Sequence, residues 1–574
     1  MTNLRTYLKP YIPRMAFGLS IKFTGTIMDL LIPWILAYMI DYVVPQERME
    51  LIVMWGLMMV LCAIVAIVAN IVANRMASRV ARDTTRKVRH DLFSKISYLS
   101  SSQIDTFTLP SLISRLTSDT YHIHHMIGMM QRLGVRAPIL LLGGIIVTLT
   151  LDPVLSLVLI SILPLIGLLI FKVSTKGIPL YQKLQSSIDG MVTVIRENIT
   201  GIRVIKALSK SDYEKTRYFR SNDDVVKSEM TVGKTMAITN PMMNLFLNLG
   251  LTLVVIVGAF RVNSGLTKPG AIIAFLTYFT IILNAMLSIS RIFILYSKGT
   301  ASFKRIIEVI DAPEELKVTE DDTIPSDAHV SFNHVHFSYH NQKDNLVDIH
   351  FEVKKGETLG IIGPTGSGKS SIIQLLMRFY DVSSGEIRLN GTNIKSIPRE
   401  KLHTKFGIVF QNDILFADTI AQNIAFGRNL EAKQILYSSE LAQAGPFIDS
   451  LADGIHHTLS VKGANLSGGQ KQRILISRAL AANPEILILD DSSSALDYKT
   501  DAALRQSIKS NFKDTTTIIV AQRISSIMHA DQILVIEDGQ IIGNGTHESL
   551  MSTCENYQEI SKIQMGGIFD ENRK

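Results

Sequence analysis

The chain holds only two cysteines in 574 residues, Cys62 in an apolar half and Cys554 near the C-terminus. They argue against a disulfide framework and fit a reducing cytosolic face. Charge is scarce as well. Asp, Glu, Lys and Arg make up 19% against 47% hydrophobic residues, a balance too apolar for a wholly soluble protein, so part of the chain belongs in a membrane. The net charge of +7 is modest for this length, and no block of Lys and Arg alternates with aromatics, which excludes a nucleic-acid groove. A cleavable signal peptide is not expected: Met1 to Arg14 carries basic residues and two prolines, and the long apolar region behind it lacks a small-residue cleavage site. His122, His124 and His125 have no acidic or cysteine company and do not read as metal ligands.

What is abundant is apolar sequence of spanning length, at roughly 15–40, 51–74, 126–150, 153–172, 236–260 and 270–296. Each run is near the ~20 residues that cross a bilayer, so six spans are expected. Only Leu151-Asp152-Pro153 separates the third from the fourth, a composition suited to a turn at a membrane face. Arg75, Arg79, Arg82, Arg86, Lys87, Arg89 and Lys95 follow the second span, and Lys172, Lys176, Lys183 and Arg196 the fourth. Basic segments stay in the cytosol, which makes this a multi-pass protein of the cell membrane with both termini cytosolic. Those segments are helical in pattern but too polar to span, so the membrane helices should continue beyond the bilayer. Ser101 to Arg115 and Lys206 to Arg217 are candidates for contact with the cytosolic half. Within the spans, Asp29 and Arg291 are pathway or pairing candidates. Asn240, Asn244 and Asn248 share a helix face and read as interhelical glue, and Met54, Met58, Met59, Met126, Met129 and Met130 as core filling.

After residues 1–313 the character changes. Residues 314–328 form an acidic linker containing proline, and from 329 to 574 strands alternate as in a soluble α/β domain. Its organising stretch is GPTGSGKSS, 363 to 371. Gly363, Gly366 and Gly368 permit a tight turn whose N–H groups, with Thr365 and Ser367, surround phosphate oxygens; Lys369 neutralises phosphate charge, Ser370 is a Mg²⁺ ligand and Ser371 opens the following helix. The strand-like Thr358–Ile362 before the loop and the helical spacing after it place the phosphates at a helix N-terminus. Ile486–Asp490 is an apolar strand ending in a carboxylate, which in nucleotidases serves Mg²⁺. The expected cofactors are therefore ATP and Mg²⁺.

Between these two motifs stands LSGGQ, 466 to 470. With six spans and one such domain, the chain resembles the exporter-type ATP-binding cassette transporters over essentially its full length. The fold implied is an α-helical membrane domain followed by an α/β P-loop cassette. The resemblance implies that Ser467, Gly468, Gly469 and Gln470 bind the γ-phosphate of ATP held by an opposite cassette, and hence a dimer. It also assigns Tyr339 to adenine stacking, Gln411 to Mg²⁺ and the attacking water, and Ser494 to Asp497 to the dimer interface.

Departures from the family are more informative. The glutamate expected after the magnesium aspartate is Asp491; the shorter side chain withdraws its carboxylate by roughly 1 Å, which costs on the order of a hundredfold in rate. The histidine expected before Arg523 is Gln522, which can donate a hydrogen bond but carries no positive charge. Val461 replaces the acidic residue usual before the signature. Intact binding motifs beside weakened catalytic positions resemble the degenerate-site subunit of heterodimeric multidrug exporters. That resemblance implies a homologous half-transporter as partner, a surrounding of membrane lipid, and an amphipathic small-molecule substrate moved by alternating access. A homodimeric lipid or peptide exporter and a non-transporting, ATP-gated regulatory subunit are the other two readings open to the sequence.

Overall fold

Six long helical stretches, Leu4–Gln46, Met49–Ser97, Leu109–Leu151, Pro153–Thr200, Ser211–Asn263 and Pro269–Ile310, are each apolar enough to cross a membrane. They precede an α/β unit in the computed structural model, which describes residues 3–313, 316–321, 323–339, 344–492 and 494–565. Glu314, Glu315 and Asp322 of the expected linker, and the tail beyond residue 565, lie outside the described residues. Contacts divide the chain into two units. One holds the chain up to Tyr98 together with Thr108–Ala312, the other Leu99–Phe107 and the chain from Pro313 onward.

The helical unit is built on α1 (Ile12–Tyr38) and α2 (Met49–Ser97). The short helix α3 (Ser101–Phe107) follows in sequence, then α4 (Thr120–Leu151), α5 (Pro153–Thr200), α6 (Ser211–Ala237), α7 (Thr239–Asn263) and α8 (Pro269–Ile310). At 49 residues, α2 is about 70 Å long, more than twice the ~30 Å hydrocarbon core. The helices therefore run on past the bilayer, as the basic extensions require. The turn between α4 and α5 is fixed by Asp152. Its carboxylate accepts from the N–H groups of Val154 (2.9 Å) and Leu155 (3.2 Å), Pro153 occupies the first helical position where no N–H is needed, and Arg261 closes an ion pair at 2.9 Å. Gly144 lets α8 approach α4, since a Cβ there would lie 2.8 Å from Ile282 Cγ1.

Two expectations are corrected in this unit. Asn240, Asn244 and Asn248 are exposed on α7, so within this chain they do not join helices. Core filling holds for Met126, which is buried, whereas Met54 and Met58 face outward; apolar residues on a membrane helix have no aqueous reason to turn inward.

The second unit contains two sheets. Strands β1 (Ala328–Phe337), β2 (Leu346–Lys354), β4 (Ser384–Leu389) and β5 (Thr392–Asn393) form an antiparallel sheet in the order β2-β1-β4-β5. The larger sheet has the order β10-β9-β3-β8-β7-β6. It comprises β3 (Thr358–Ile362), β6 (Phe406–Val409), β7 (Ile486–Asp490), β8 (Thr516–Val520), β9 (Gln532–Glu537) and β10 (Gln540–Gly545). Five of these strands are parallel and β10 is an antiparallel edge. Parallel strands are covered on both faces and read as continuous apolar runs; every residue of β7 is buried. The loops after β3, β6, β7 and β8 leave from one edge of this sheet, the edge where open α/β sheets take ligands.

Helix α3 packs inside this second unit. Ser100 and Gln103 cap it reciprocally, Gln103 Nε2 donates to the Pro313 carbonyl at 2.7 Å, and Tyr380 donates to Asp105 at 2.6 Å. The expected contact with the nucleotide-binding half is thus met as far as Phe107; Lys206 to Arg217 belongs to the helical unit. Nearby, Arg378 is 2% exposed and gathers the chain around it, donating to the carbonyls of Lys317 (2.7 Å) and Lys395 (3.0 Å) while pairing with Asp381 at 3.0 Å. Replacing it removes these bonds together and leaves Asp381 without its cation, although the Lys395 carbonyl still accepts from the Thr319 N–H at 3.0 Å. Arg378→Met is expected to destabilise the second unit by about 3 kcal/mol, read as a lower midpoint of its transition in scanning calorimetry of the detergent-solubilised protein; an unchanged midpoint would refute this.

Candidate functional site

Helix α9 (Lys369–Leu376) starts where the loop after β3 ends, and the loop's geometry follows from its glycines. Gly366 and Gly368 have φ of 87° and 103°, values in the left-handed region that favours glycine. Around Gly368 there is no room for a side chain either, because a Cβ would sit 2.6 Å from Leu346 Cδ2. The loop, α9 and the ends of β7 and β8 enclose a cavity of about 180 Å³. Thr365, Gly366, Gly368, Lys369, Ser370, Ser371, Gln411, Asp490, Asp491 and Gln522 all reach it, so residues far apart in sequence meet in one place.

Lys369 curls over the loop, its Nζ donating to the carbonyls of Gly363 (2.9 Å) and Pro364 (2.7 Å). Burial pulls its ammonium below the usual lysine range, against the pull of Asp490 and Asp491. A cation held half-desolvated beside N–H donors is suited to phosphate oxygens. Ser367 Oγ is buried without a hydrogen-bond partner, and an orphaned polar atom at this point fits a ligand acceptor or donor. Ser370 Oγ donates to Asp490 Oδ2 at 3.2 Å. This pair of hard oxygens at the cavity floor is a donor set that suits Mg²⁺. Burial raises the Asp490 carboxyl above the ordinary range, with the Asp491 charge adding to it; a divalent cation would relieve both effects.

Asp491 is the first residue past β7. Its φ of 49° is left-handed, a conformation that Asp tolerates better than most residues. Burial raises its carboxyl, opposed by Arg523 and Lys369, and Gln522 Nε2 donates to its Oδ2 at 3.1 Å. The two positions that depart from the family pattern are thus bonded to each other.

Tyr339 stands beside the phosphate loop rather than in the cavity. Its hydroxyl bonds Gln374 (2.7 Å) and Ser371 (3.1 Å), and its ring packs edge-on to Phe337 and Tyr380. Ser467, Gly468, Gly469 and Gln470 are apart from the cavity, at the start of α10 (Gly468–Leu480). Ser467 and Gln470 form a capping box there, so the Gln470 side chain holds its own helix while the remaining N–H groups of the turn point outward. Asp497 caps α11 (Tyr498–Asn511) through the Thr500 N–H at 2.9 Å, a bond that holds its carboxyl below the usual range. Val461 is 71% exposed.

Two contributors had no signal in the sequence. Asn345 lines the cavity and also accepts from the Tyr339 N–H at 3.0 Å. Gln564, on the last described helix α12 (Glu555–Met565), donates to the Gln522 carbonyl at 2.7 Å and accepts from the Ile524 N–H at 2.8 Å. This helix therefore fixes the loop that carries Gln522, a role that no motif in the chain announces. A periodic polar position on a terminal helix carries no mark of a partner forty residues upstream.

Comparison with known proteins bears on the whole chain. Residues 15–286 match the family described as ABC transporter transmembrane region, and residues 346–494 that described as ABC transporter. YfiB of Bacillus subtilis, an uncharacterized ABC transporter ATP-binding protein, is 34% identical over 570 residues, 99% of each chain. YknU of the same organism, described in the same words, is 29% identical over 98% of this chain and 97% of its own. Among solved structures, a bacterial Atm1-family ABC exporter with ATP bound superposes with a TM-score of 0.82 at 23% identity, covering 96% of this chain and 98% of that one. That last likeness is one of fold.

A carboxyl raised by folding weakens the folded state at pH above its raised range, and the penalty fades as pH falls toward that range. Asp490→Asn should therefore raise the unfolding temperature of the nucleotide-free protein at pH 7.5, with a smaller gain at pH 5, while Mg²⁺-dependent nucleotide binding falls. Thermal unfolding at the two pH values checks this; a lower unfolding temperature at pH 7.5 would contradict it.

Proposed function

Because this chain belongs to the ABC transporter family, we propose that it is one subunit of a heterodimeric, ATP-driven exporter of amphipathic and hydrophobic compounds, of multidrug type. The observation that carries the asymmetric part is the bonded pair Asp491 and Gln522, standing where the family resemblance leads one to expect a longer carboxylate and a histidine. Residues 1–313 form the membrane domain, 314–328 the linker and 329–574 the cassette, with the cassette and both termini in the cytosol.

In this reading the loop N–H groups and Lys369 hold the phosphates, Ser370, Asp490 and Gln411 serve Mg²⁺, and Tyr339 turns its ring toward adenine. When bound, the magnesium nucleotide supplies the scissile phosphoanhydride and the charge that draws two cassettes together. Asp491 reaches less far toward a water than glutamate does, and Gln522 offers a neutral donor and no positive charge; both weaken turnover here more than they weaken binding. Ser467, Gly468 and Gly469, with the first turn of α10, present N–H groups to the nucleotide on a partner. The chain then acts as a clamp at its own site and completes the site that fires. Closure and reopening of the cassettes turn the spans between inward- and outward-facing arrangements.

Purification of the complex from its own membranes through a tag on this chain should yield a homologous second subunit at one to one by native mass. Its ATPase activity should survive Asp491→Asn here, and Asp491→Glu with Gln522→His should raise it by about tenfold or more at this site. Recovery of this chain paired only with itself, hydrolysing ATP, would establish the homodimeric reading instead.

A further inference from the structure

A seam of polar side chains in the helical unit has no part in handling nucleotide. On α2, Asn70, Asn74, Ser78, Arg82, Thr85 and Arg89 succeed one another at intervals of four and three, along one helix face. On α4, His124, Arg132 and Arg136, eight and four residues apart, also share one face. The two stripes meet: Arg89 Nη2 donates to Thr120 Oγ1 at 3.1 Å, and Arg132 donates to Ser78.

At one end the seam widens into a cavity of about 1190 Å³ lined by Arg82, Arg86, Arg89 and His124, with Phe93 and Tyr121 as aromatic walls. Thr85 also lines it, and its Oγ1 is buried without a hydrogen-bond partner. At the other end Lys22, from α1, is 3% exposed and held only by amides, donating to Asn70 Oδ1 at 2.7 Å and Asn74 Oδ1 at 3.0 Å. Arg136 pairs with Asp29 at 3.0 Å. Lys22 lies within electrostatic reach of Asp29, Arg132 and Arg136. Three cations thus face one carboxylate, and the Nε atoms of Arg132 and Arg136 are buried with no acceptor. All of them sit within the apolar runs at 15–40, 51–74 and 126–150; Lys22, Asn70, Asn74 and Arg132 lie toward the end of their run from which the basic extensions leave, and Asp29 near the middle of its own.

Cations in hydrocarbon are costly unless paired, and here the protein supplies too few anions to pair them. Arg82 is already paired with Asp83 at 2.7 Å. We propose that the seam binds the acidic group, carboxylate or phosphate, of an amphipathic anion: Arg86 and Arg89 draw it in, Lys22, Arg132 and Arg136 hold it, and Phe93 and Tyr121 take apolar surface at the entrance. Amphipathic anions are then the substrate class of the exporter. That last step rests on the transport reading; the binding does not.

The test uses the purified complex in phosphatidylcholine nanodiscs without nucleotide. Two spin-labelled probes are compared by the immobilised fraction in their EPR spectra, a stearate and a trimethylammonium amphiphile of the same chain length. The stearate should bind about tenfold more tightly. Arg136→Gln and Lys22→Gln should each remove most of that preference without weakening the ammonium probe, and Arg136→Lys should restore most of it. Displacement by phosphatidylglycerol mixed into the disc identifies the bilayer as the source, and displacement by phenyl phosphate added to the buffer an aqueous one; either outcome supports the site. Equal binding of the two probes, a stearate preference untouched by both glutamine variants, or displacement by neither competitor overturns it. Selective stearate binding in a complex whose ATPase no anion stimulates would defeat the transport reading and leave the site standing.

Discussion

Asp490 is a carboxylate at the end of a strand in which every residue is buried, and the arrangement of the second unit depends on how that charge is accommodated. The apolar run before it cannot be anything but a central parallel strand, which places the carboxylate at the edge where the other loops emerge. There it accepts from Ser370, the second residue of the helix that follows the phosphate loop, so one hydrogen bond ties β7 to the end of the loop after β3. Lys369 and Asp491 sit to either side in charge as well as in sequence. The site is therefore built around a group that destabilises the unliganded fold, and it is best satisfied when cations come to it.

Much of this was legible in the sequence because phosphate binding and membrane crossing are local problems. A tight glycine turn before a helix and about twenty apolar residues in a row are specified by neighbours in the chain, and the phosphate loop, the six spans and the Asp152 turn all stand where their residues put them. What escaped was tertiary. Asp29 could be seen as an intramembrane charge, but its pairing with Arg136 and the presence of Lys22 among asparagines come from three different helices. Gln564 reaches Gln522 across a separation that no periodicity records. Gln470 looked like a ligand contact by resemblance, yet its side chain is engaged in capping its own helix. The asparagines of α7 and the methionines of α2 were misjudged for one reason: on a membrane helix, hydrophobicity does not say which face is inside.

Helix α3 shows how a short segment changes allegiance. It lies between two spans in the chain, but its caps, its Gln103 bond to Pro313 and its Asp105 bond to Tyr380 all belong to the second unit. Gln103 is buried among those contacts, and Leu99 just before the helix is buried as well. Tyr380 also packs edge-on against Tyr339, whose hydroxyl holds Ser371 and Gln374 on the helix after the phosphate loop. A chain of three aromatic and hydroxyl contacts thus leads from the start of α9 to a helix supplied by the N-terminal half of the sequence.

The left-handed backbone at Asp491 gives evolution a direction at this position. Aspartate and asparagine favour this conformation because their short polar side chains bond the local backbone, although the chain also holds Glu47, Gln443 and Lys462 at similar φ. On the proposed heterodimeric reading, turnover at another subunit's site would remove the need for a longer carboxylate here, and the local backbone would favour aspartate.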